Sequence, residues 1–293
     1  MTILLTGVNG QVGFELARTL QGLGRVIAVD RNALDLRDLD RVRSFVRETK
    51  PSVIVNPAAY TAVDKAEDER EEAHRLNAEL PAVFAEECAK LNAWFVHYST
   101  DYVFDGAKSS PYVETDAVAP LNVYGETKLA GERAIAQSGC RHLILRTSWV
   151  YDARGANFMR TILRLAEQRP ELTIVADQFG APTWSRTIAE LTANMLTQIA
   201  AAERNKLGAF DEHSGIYHLT NGGRTSWYEF AREIVRVWGK EHQTRITPIP
   251  ASAYPVKARR PVNSCLSNEK LAATFGLAAP DWLRALQLCA EQA

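Results

Sequence analysis

Cysteine is scarce in this 293-residue sequence: four residues, Cys88, Cys140, Cys265 and Cys289, widely spaced and without a C-x-x-C pair. They read as free thiols in a reducing cytosol rather than as a disulfide framework. No apolar run reaches the ~18 residues that a membrane helix needs, so no membrane partner is expected. Neither sign of charge is in excess. The 34 basic and 35 acidic residues leave a net charge of −1, without the basic stripe of a nucleic-acid-binding surface. The N-terminus has no basic region and enters a strand pattern at once, so no secretory signal is read and a cytoplasmic location is expected. There is no internal repeat and no low-complexity tract.

What is present suits a sizeable core, since 46% of the residues are hydrophobic. Short β-branched or apolar runs alternate with helical patterns through the first half. Strands are read at Ile3–Leu5, Val26–Val29, Val53–Val55, Trp94–Tyr98, Leu143–Leu145 and Leu172–Val175. Helices are read at Gln11–Leu20 and Leu39–Arg47, and a long one from about Glu69 to Lys90, kinked at Pro81. Continuous apolar strands between helices indicate a parallel sheet covered on both faces. Strands thin out later, with Ile216–Leu219 the clearest, and helices follow at Ser226–Val237 and Asp281–Cys289. The expected fold is α/β: a doubly wound parallel sheet of Rossmann type with a smaller C-terminal substrate lobe. Residues 1–150, with a return segment near 170–205, would form the dinucleotide domain; 151–169 and 206–293 would form the lobe.

Gly7-Val8-Asn9-Gly10-Gln11-Val12-Gly13 lies between the first strand and the first helix, with the spacing G-x-x-G-x-x-G. In such a loop the first glycine turns the chain. The second lets backbone approach a pyrophosphate, and the third lets helix and strand pack closely. The helix N-terminus offers free amides to the phosphates. Asp30 ends the second strand, 20 residues after Gly10, where an acid would meet the adenosine ribose. Its charge favours NADH, whereas Arg31 beside it could pair with the 2′-phosphate of NADPH. The residues leave that choice open. Asp35 and Leu36 are placed across the adenine, with a helix N-cap as the structural alternative for Asp35.

Tyr124 and Lys128 are four residues apart on a helical pattern and so share a face. A phenol has an ordinary pKa of about 10, and an ammonium beside it is expected to lower that value. Such a phenol can protonate a developing alkoxide. Thr100 offers a hydroxyl to the same oxygen.

With these residues in place, the chain resembles the extended short-chain dehydrogenase/reductases. Within them it is similar to the nucleotide-sugar reductases that complete dTDP-L-rhamnose, a cell-surface polysaccharide precursor. The likeness runs through Gly7–Gly13, Val53–Lys65 (VIVNPAAYTAVDK), Val96–Phe104 (VHYSTDYVF), Pro120–Glu132 (PLNVYGETKLAGE), Leu145–Tyr151 (LRTSWVY), Gln178–Thr183 (QFGAPT) and Arg260–Ser264 (RPVNS). It implies NAD(P)H-dependent reduction of the 4-keto group of dTDP-4-dehydro-L-rhamnose, with a dTDP-sugar as substrate. Gln11 and Val12 would line the pyrophosphate. Ala59, Tyr60 and Thr61 would border the cofactor, and Tyr98 would lie beside its nicotinamide half. Thr100 and Asp101 would contact the sugar. Tyr124 would be the proton donor, Lys128 would hold the nicotinamide ribose, and Trp149 would pack against substrate. Arg260 suits a nucleotide diphosphate, or equally a surface salt bridge.

Two departures matter. Dehydratases of this superfamily place Glu after Thr-Asp, whereas this chain reads Thr100-Asp101-Tyr102, so reduction is favoured over elimination. Some relatives bridge a homodimer through a divalent ion such as Mg2+, using acids that include one matching Glu15. Trp184-Ser185-Arg186 supplies none of the others, which argues against a metal here. Two rival readings follow from the same resemblance: reduction of another keto nucleotide sugar, and a non-catalytic dinucleotide-binding subunit similar to the β subunit of methionine adenosyltransferase.

Overall fold

A computed structural model describes residues 1–205 and 213–292. Residues 206–212, read above as the start of the lobe, lie outside the described residues. The early apolar runs become strands β1 (Thr2–Leu5), β2 (Arg25–Ala28), β3 (Val53–Asn56), β4 (Trp94–Thr100) and β5 (Arg141–Thr147). Between them run α1 (Gln11–Thr19), α2 (Leu39–Thr49), α3 (Val63–Ala66), α4 (Arg70–His74), α5 (Leu80–Leu91) and α6 (Val123–Gln137). Then follow β6 (Val150–Tyr151), α7 (Phe158–Ala166), β7 (Glu171–Val175), β8 (Phe179–Gly180), β9 (Thr183–Trp184) and α8 (Ser185–Asn205). The chain continues through β10 (Gly215–His218), β11 (Thr225–Ser226), α9 (Trp227–Val237), β12 (Arg245–Ile249), α10 (Glu269–Phe275) and α11 (Trp282–Ala290).

Six strands make one sheet in the order β10-β5-β4-β3-β1-β2, and every pairing in it is parallel. The chain leaves β1 to one side for β2 and returns to the other side for β3. The crevice between β1 and β3 is therefore a topological switch point, open at the carboxyl ends of the strands. Both faces are covered. Leu5, Leu16, Tyr98, Met195 and Leu196 belong to the core shared with α1 and α8. Leu4, Ile54, Phe84, Phe95 and Ile144 belong to the opposite one, with α2 and α5.

Two strand readings are corrected. Leu172–Val175 is a strand, but it pairs with β12 in a two-stranded lobe sheet, not with β5. The sixth strand of the main sheet is β10, at the segment read as Ile216–Leu219 and assigned to the lobe. A parallel neighbour requires a long crossover, and the 21-residue α8, packed on α1, provides it. A short apolar run announces a strand without saying which sheet receives it.

The segment read as one long helix is three. A π-helical turn at Arg75–Glu79 joins α4 to α5, whose first turn holds Pro81. Proline has no N–H to give a carbonyl four residues back, and the wider turn accommodates that. The lobe packs around Phe230, with Tyr151, Phe158 and Trp282 at ring separations of 5.4, 5.6 and 6.1 Å.

Helix α6 carries the Tyr124–Lys128 pair. Asn122 caps it, accepting from the Gly125 amide at 2.8 Å. A Cβ on Gly125 would stand 2.2 Å from the Tyr102 carbonyl oxygen, and one on Gly131 would stand 2.2 Å from that of Asn77. These two glycines let the helix lie against its neighbours. Further along, Glu132 is bound by Arg146 of β5 through two bonds of 2.9 and 2.6 Å, and by Ser99 of β4. Both ions are 3% exposed. Removing one partner of such a pair leaves a buried charge unmatched. Glu132→Ala should therefore lower unfolding free energy by about 3–5 kcal/mol, read from the urea midpoint. A loss below ~1 kcal/mol would mean the pair is not what holds α6 to the sheet.

Candidate active site

The glycine loop has the shape its spacing implied. Gly7 adopts a left-handed φ of 59°. A Cβ on Gly13 would lie 2.1 Å from the Gly7 carbonyl oxygen, so helix and loop close upon each other there. No side chain caps α1 at Gly10, which leaves its first amides free for an anion. Gln11 accepts from Asn157 at 2.9 Å, joining the loop to the lobe. Val12 packs partly into the core. The arrangement fits a dinucleotide pyrophosphate.

At the end of β2, Asp30 accepts from the amides of Asn32 and Ala33, both at 3.0 Å. Its carboxylate is thus held at the turn, and Arg31 beside it is exposed. Asp35 does not cap a helix. Asp38 does, accepting from the Arg41 amide, while Asp35 grips the Arg37 guanidinium through two oxygens at 3.0 and 2.9 Å. Those bonds hold its pKa down at about 2. Leu36 lies at the edge of the second core.

Ala59, Tyr60 and Thr61 follow β3. Asn77, in the π turn, receives the Tyr60 amide at 2.9 Å and donates to the Tyr60 carbonyl and to Thr127 of α6. It therefore staples this loop to the helix that bears Tyr124. Burial, helped by a 2.5 Å bond from the Tyr60 hydroxyl to Glu69, pushes that phenol up to about 12. Tyr98 differs from expectation. Its ring is buried and its hydroxyl bonds Thr192 of α8 at 2.9 Å, so its backbone, not its ring, faces the Tyr124 helix.

Thr100 and Asp101 end β4. The Thr100 hydroxyl donates to Asp101 Oδ1 at 2.9 Å and receives the Tyr102 amide at 3.1 Å. Asp101 Oδ2 is buried with no partner among the described residues. Burial pushes this carboxyl up to about 7, against the opposing pull of its hydrogen bonds. Tyr124 packs edge-on to Tyr102, with ring centroids 5.8 Å apart.

The expected lowering of the Tyr124 pKa is not what the geometry gives. Burial pushes the phenol up to about 12, the Thr100 hydroxyl opposing. Lys128 does not aim at it. Its Nζ lies 2.5 Å from the Tyr98 carbonyl oxygen and 3.1 Å from His97 Nε2, and burial brings its own pKa down to about 7. An amine turned towards the strand stabilises a phenolate less than one beside it.

Trp149 follows β5 with φ 47°, an unusual value for a bulky residue. It stacks on Trp227 of the lobe, centroids 3.5 Å apart and planes 8° from parallel. Arg260 is bound to Asp64 of α3 at 2.7 Å, and the Ala258 amide also reaches Asp64. Asn122 donates to the Arg259 carbonyl at 2.7 Å. The strap at Lys257–Arg260 is thus tied to both α3 and the cap of α6. Glu15 is buried and paired with Arg186 at 3.0 Å. Among the described residues no group of three or more His, Cys, Asp or Glu is placed to hold a metal.

The chain is similar to known proteins along its length. The family model described as the RmlD substrate binding domain matches residues 1–293. The dTDP-4-dehydrorhamnose reductase of Burkholderia thailandensis is 52% identical over 99% of this chain and 98% of its own length. That of Escherichia coli strain K12 is 46% identical over 96% of this chain and 94% of its own. The chain belongs to the dTDP-4-dehydrorhamnose reductase family. Among solved structures, the Clostridium acetobutylicum reductase superposes with a TM-score of 0.89 at 36% identity, covering 100% of this chain and 99% of that one. The Bacillus anthracis reductase, solved in complex with NADP, gives 0.88 at 32% identity over 100% and 99%.

For this member of the dTDP-4-dehydrorhamnose reductases, sequence reading overlooked Asn122, Trp227 and Asp64. An Asn immediately before a helical run was a legible cap signal. Nothing local marked Trp227, which reaches the site from the lobe. The glycine cradle yields a test. Gly13→Ala, forced against the Gly7 carbonyl, should weaken dinucleotide binding by at least ~10-fold in a fluorescence titration, the order of a lost phosphate contact. Unchanged affinity would show that the loop can yield.

Proposed function

We propose that Thr100, Tyr124 and Lys128 carry out the reduction of the 4-keto group of dTDP-4-dehydro-L-rhamnose, giving dTDP-L-rhamnose. The observation that carries this reading is the meeting of Thr100, at the end of β4, with Tyr124, on the first turn of α6, beside the β1/β3 crevice. Gly7–Gly13 would hold a reduced nicotinamide dinucleotide, whose chemistry when bound would be to supply the hydride. As the ketone gains negative charge, the Thr100 and Tyr124 hydroxyls stabilise its oxygen by hydrogen bonds. Tyr124 then releases its proton to that oxygen. Because its pKa stands at about 12, the phenol is fully protonated at neutral pH, the state reduction requires. An alkoxide is a stronger base than a phenolate, so the transfer runs downhill. Lys128, one turn on, holds the nicotinamide ribose.

Asp101, with a buried and unpaired oxygen, contacts the sugar, and Trp149 stacked on Trp227 forms an apolar wall for it. Arg260 serves the diphosphate. Tyr102 occupies the position where a dehydratase carries Glu, and its ring rests on Tyr124. Elimination lacks its second acid–base group there. The four cysteines are free and buried, which suits work in the cytoplasm.

Tyr124→Phe should keep dinucleotide affinity while turnover falls at least ~100-fold, the typical contribution of a positioned acid. Near-normal turnover would remove Tyr124 from the chemistry. The reaction type is tested by mass spectrometry. The 4-keto-rhamnose nucleotide with reduced cofactor should give one rhamnose per NAD(P)H consumed, and dTDP-glucose with oxidised cofactor should lose no water. A non-catalytic subunit would consume no NAD(P)H in the first incubation, and a dehydratase would form the 4-keto-6-deoxy sugar in the second.

Both NADH and NADPH should be accepted, because Asp30 and Arg31 oppose each other at the ribose. Arg31→Ala should then raise the KM for NADPH more than that for NADH. Equal changes would show that Arg31 does not meet the 2′-phosphate.

A further inference from the structure

Lys128 is 1% exposed and sits at the head of a row of fully buried polar side chains: His97, Asn56 and Thr6, each 0% exposed. Lys128 Nζ is 3.1 Å from His97 Nε2, His97 Nδ1 is 3.3 Å from Asn56 Nδ2, and the Thr6 hydroxyl donates to Asn56 Oδ1 at 2.6 Å. The row crosses under β4, β3 and β1 and ends one residue before Gly7. We propose that His97 is a positioning residue for the reaction: a neutral imidazole, with its hydrogen on Nδ1, whose bare Nε2 accepts the Lys128 ammonium and is held in that form by Asn56 and Thr6.

The argument is one of donors and acceptors. An ammonium in a dry interior needs acceptors on every side. The Tyr98 carbonyl provides one at 2.5 Å. His97 provides a second only if Nε2 carries no hydrogen. The ring is neutral, because burial drives its pKa well below the ordinary value and Lys128 adds to the effect. Its one hydrogen must then be on Nδ1, and Asn56 must turn its oxygen to that nitrogen and its NH2 to the Thr6 hydroxyl. As placed, the amide turns its NH2 to Nδ1 and takes the Thr6 hydroxyl on its oxygen; a half-turn of the amide, with the Thr6 hydroxyl hydrogen rotated away so that its oxygen accepts, gives the required arrangement. Such a partner on the far nitrogen is how a histidine tautomer is set.

The charges that face this row are few. On α6, Glu132 lies one turn beyond Lys128 and stabilises its charge, but is itself bound by Arg146 of β5 and by Ser99 of β4. Tyr124 lies one turn before. From β4 the ring of Phe95 packs on His97 at 5.8 Å. From β3 and β1 come the uncharged Asn56 and Thr6. His97 is therefore the adjustable acceptor for Lys128. Because the row ends where the glycine loop begins, it also ties the position of the lysine to that loop.

This inference rests on Lys128 serving the reduction as proposed above. Its first test needs no substrate, so its failure is distinct from failure of that reading. In protein labelled with 15N-histidine, the His97 ring at pH 6 should show the neutral Nδ1–H tautomer. An Nε2–H tautomer or an imidazolium would overturn the proposal. The second test is the pH profile of kcat. A hydrogen bond to a charged group contributes about 1.5–3 kcal/mol, so His97→Leu should move the basic limb to lower pH by about one unit or more. His97→Gln, whose amide oxygen can take the place of Nε2, should hold the limb near its original position. A merely structural histidine would cost stability in both variants and move neither limb, and that result would also overturn the proposal. Should the leucine variant fail to fold, the tautomer in the unaltered protein decides the question.

Discussion

Lys128 has its nitrogen 2.5 Å from the carbonyl of Tyr98, and most of the working end of the molecule depends on that closeness. A charged side chain is brought indoors only where backbone or side-chain partners replace water. Here those partners lie on β4, so α6 must lie directly against that strand. Gly125 and Gly131 let the same helix close on the turn after β4 and on the π turn, since a Cβ at either position would collide with the carbonyl oxygen of Tyr102 or Asn77. The Glu132–Arg146 pair then anchors the same helix to β5 one turn further on. Once α6 is placed, Tyr124 falls beside Thr100 without any further device.

Polar contacts join the crevice and the lobe to this centre, beside the apolar cluster of Leu129 with Leu266 and the Trp149–Trp227 stack. Asn77 binds the loop after β3 to Thr127 of α6. Asn122 binds the cap of α6 to the strap at Arg259, and Asp64 binds the same strap at Ala258 and Arg260. Gln11 reaches Asn157 at the start of α7. Apart from Asn77, which lies in the π turn, these side chains sit at helix starts, where backbone amides need partners. Helix-capping residues thus help to hold the two parts of the site together.

Burial governs the electrostatics of this centre. Asp101, Tyr124 and Lys128 all move towards their uncharged forms, to about 7, 12 and 7. That is desolvation acting on acids and bases alike. For reduction it has a consistent sense: the phenol keeps its proton until an alkoxide forms nearby, and the lysine exchanges protons near neutrality.

The sequence by itself determined the strand–loop–helix character of the first half, the glycine cradle, the acid that ends β2 and the Tyr124–Lys128 spacing. These depend on residues close in the chain, where side-chain period, turn chemistry and steric size act directly. It also marked Thr100 and Trp149 through the motifs they lie in. Tertiary structure alone decided that β10, not Leu172–Val175, completes the sheet, because both runs are short and apolar and only the path of α8 separates them. It decided that the Tyr98 ring is core, that Asp35 is occupied by Arg37, and that Lys128 turns to His97 and a carbonyl instead of the phenol. Those outcomes depend on which distant groups compete for the same donor or the same space, and chain spacing carries no record of that competition.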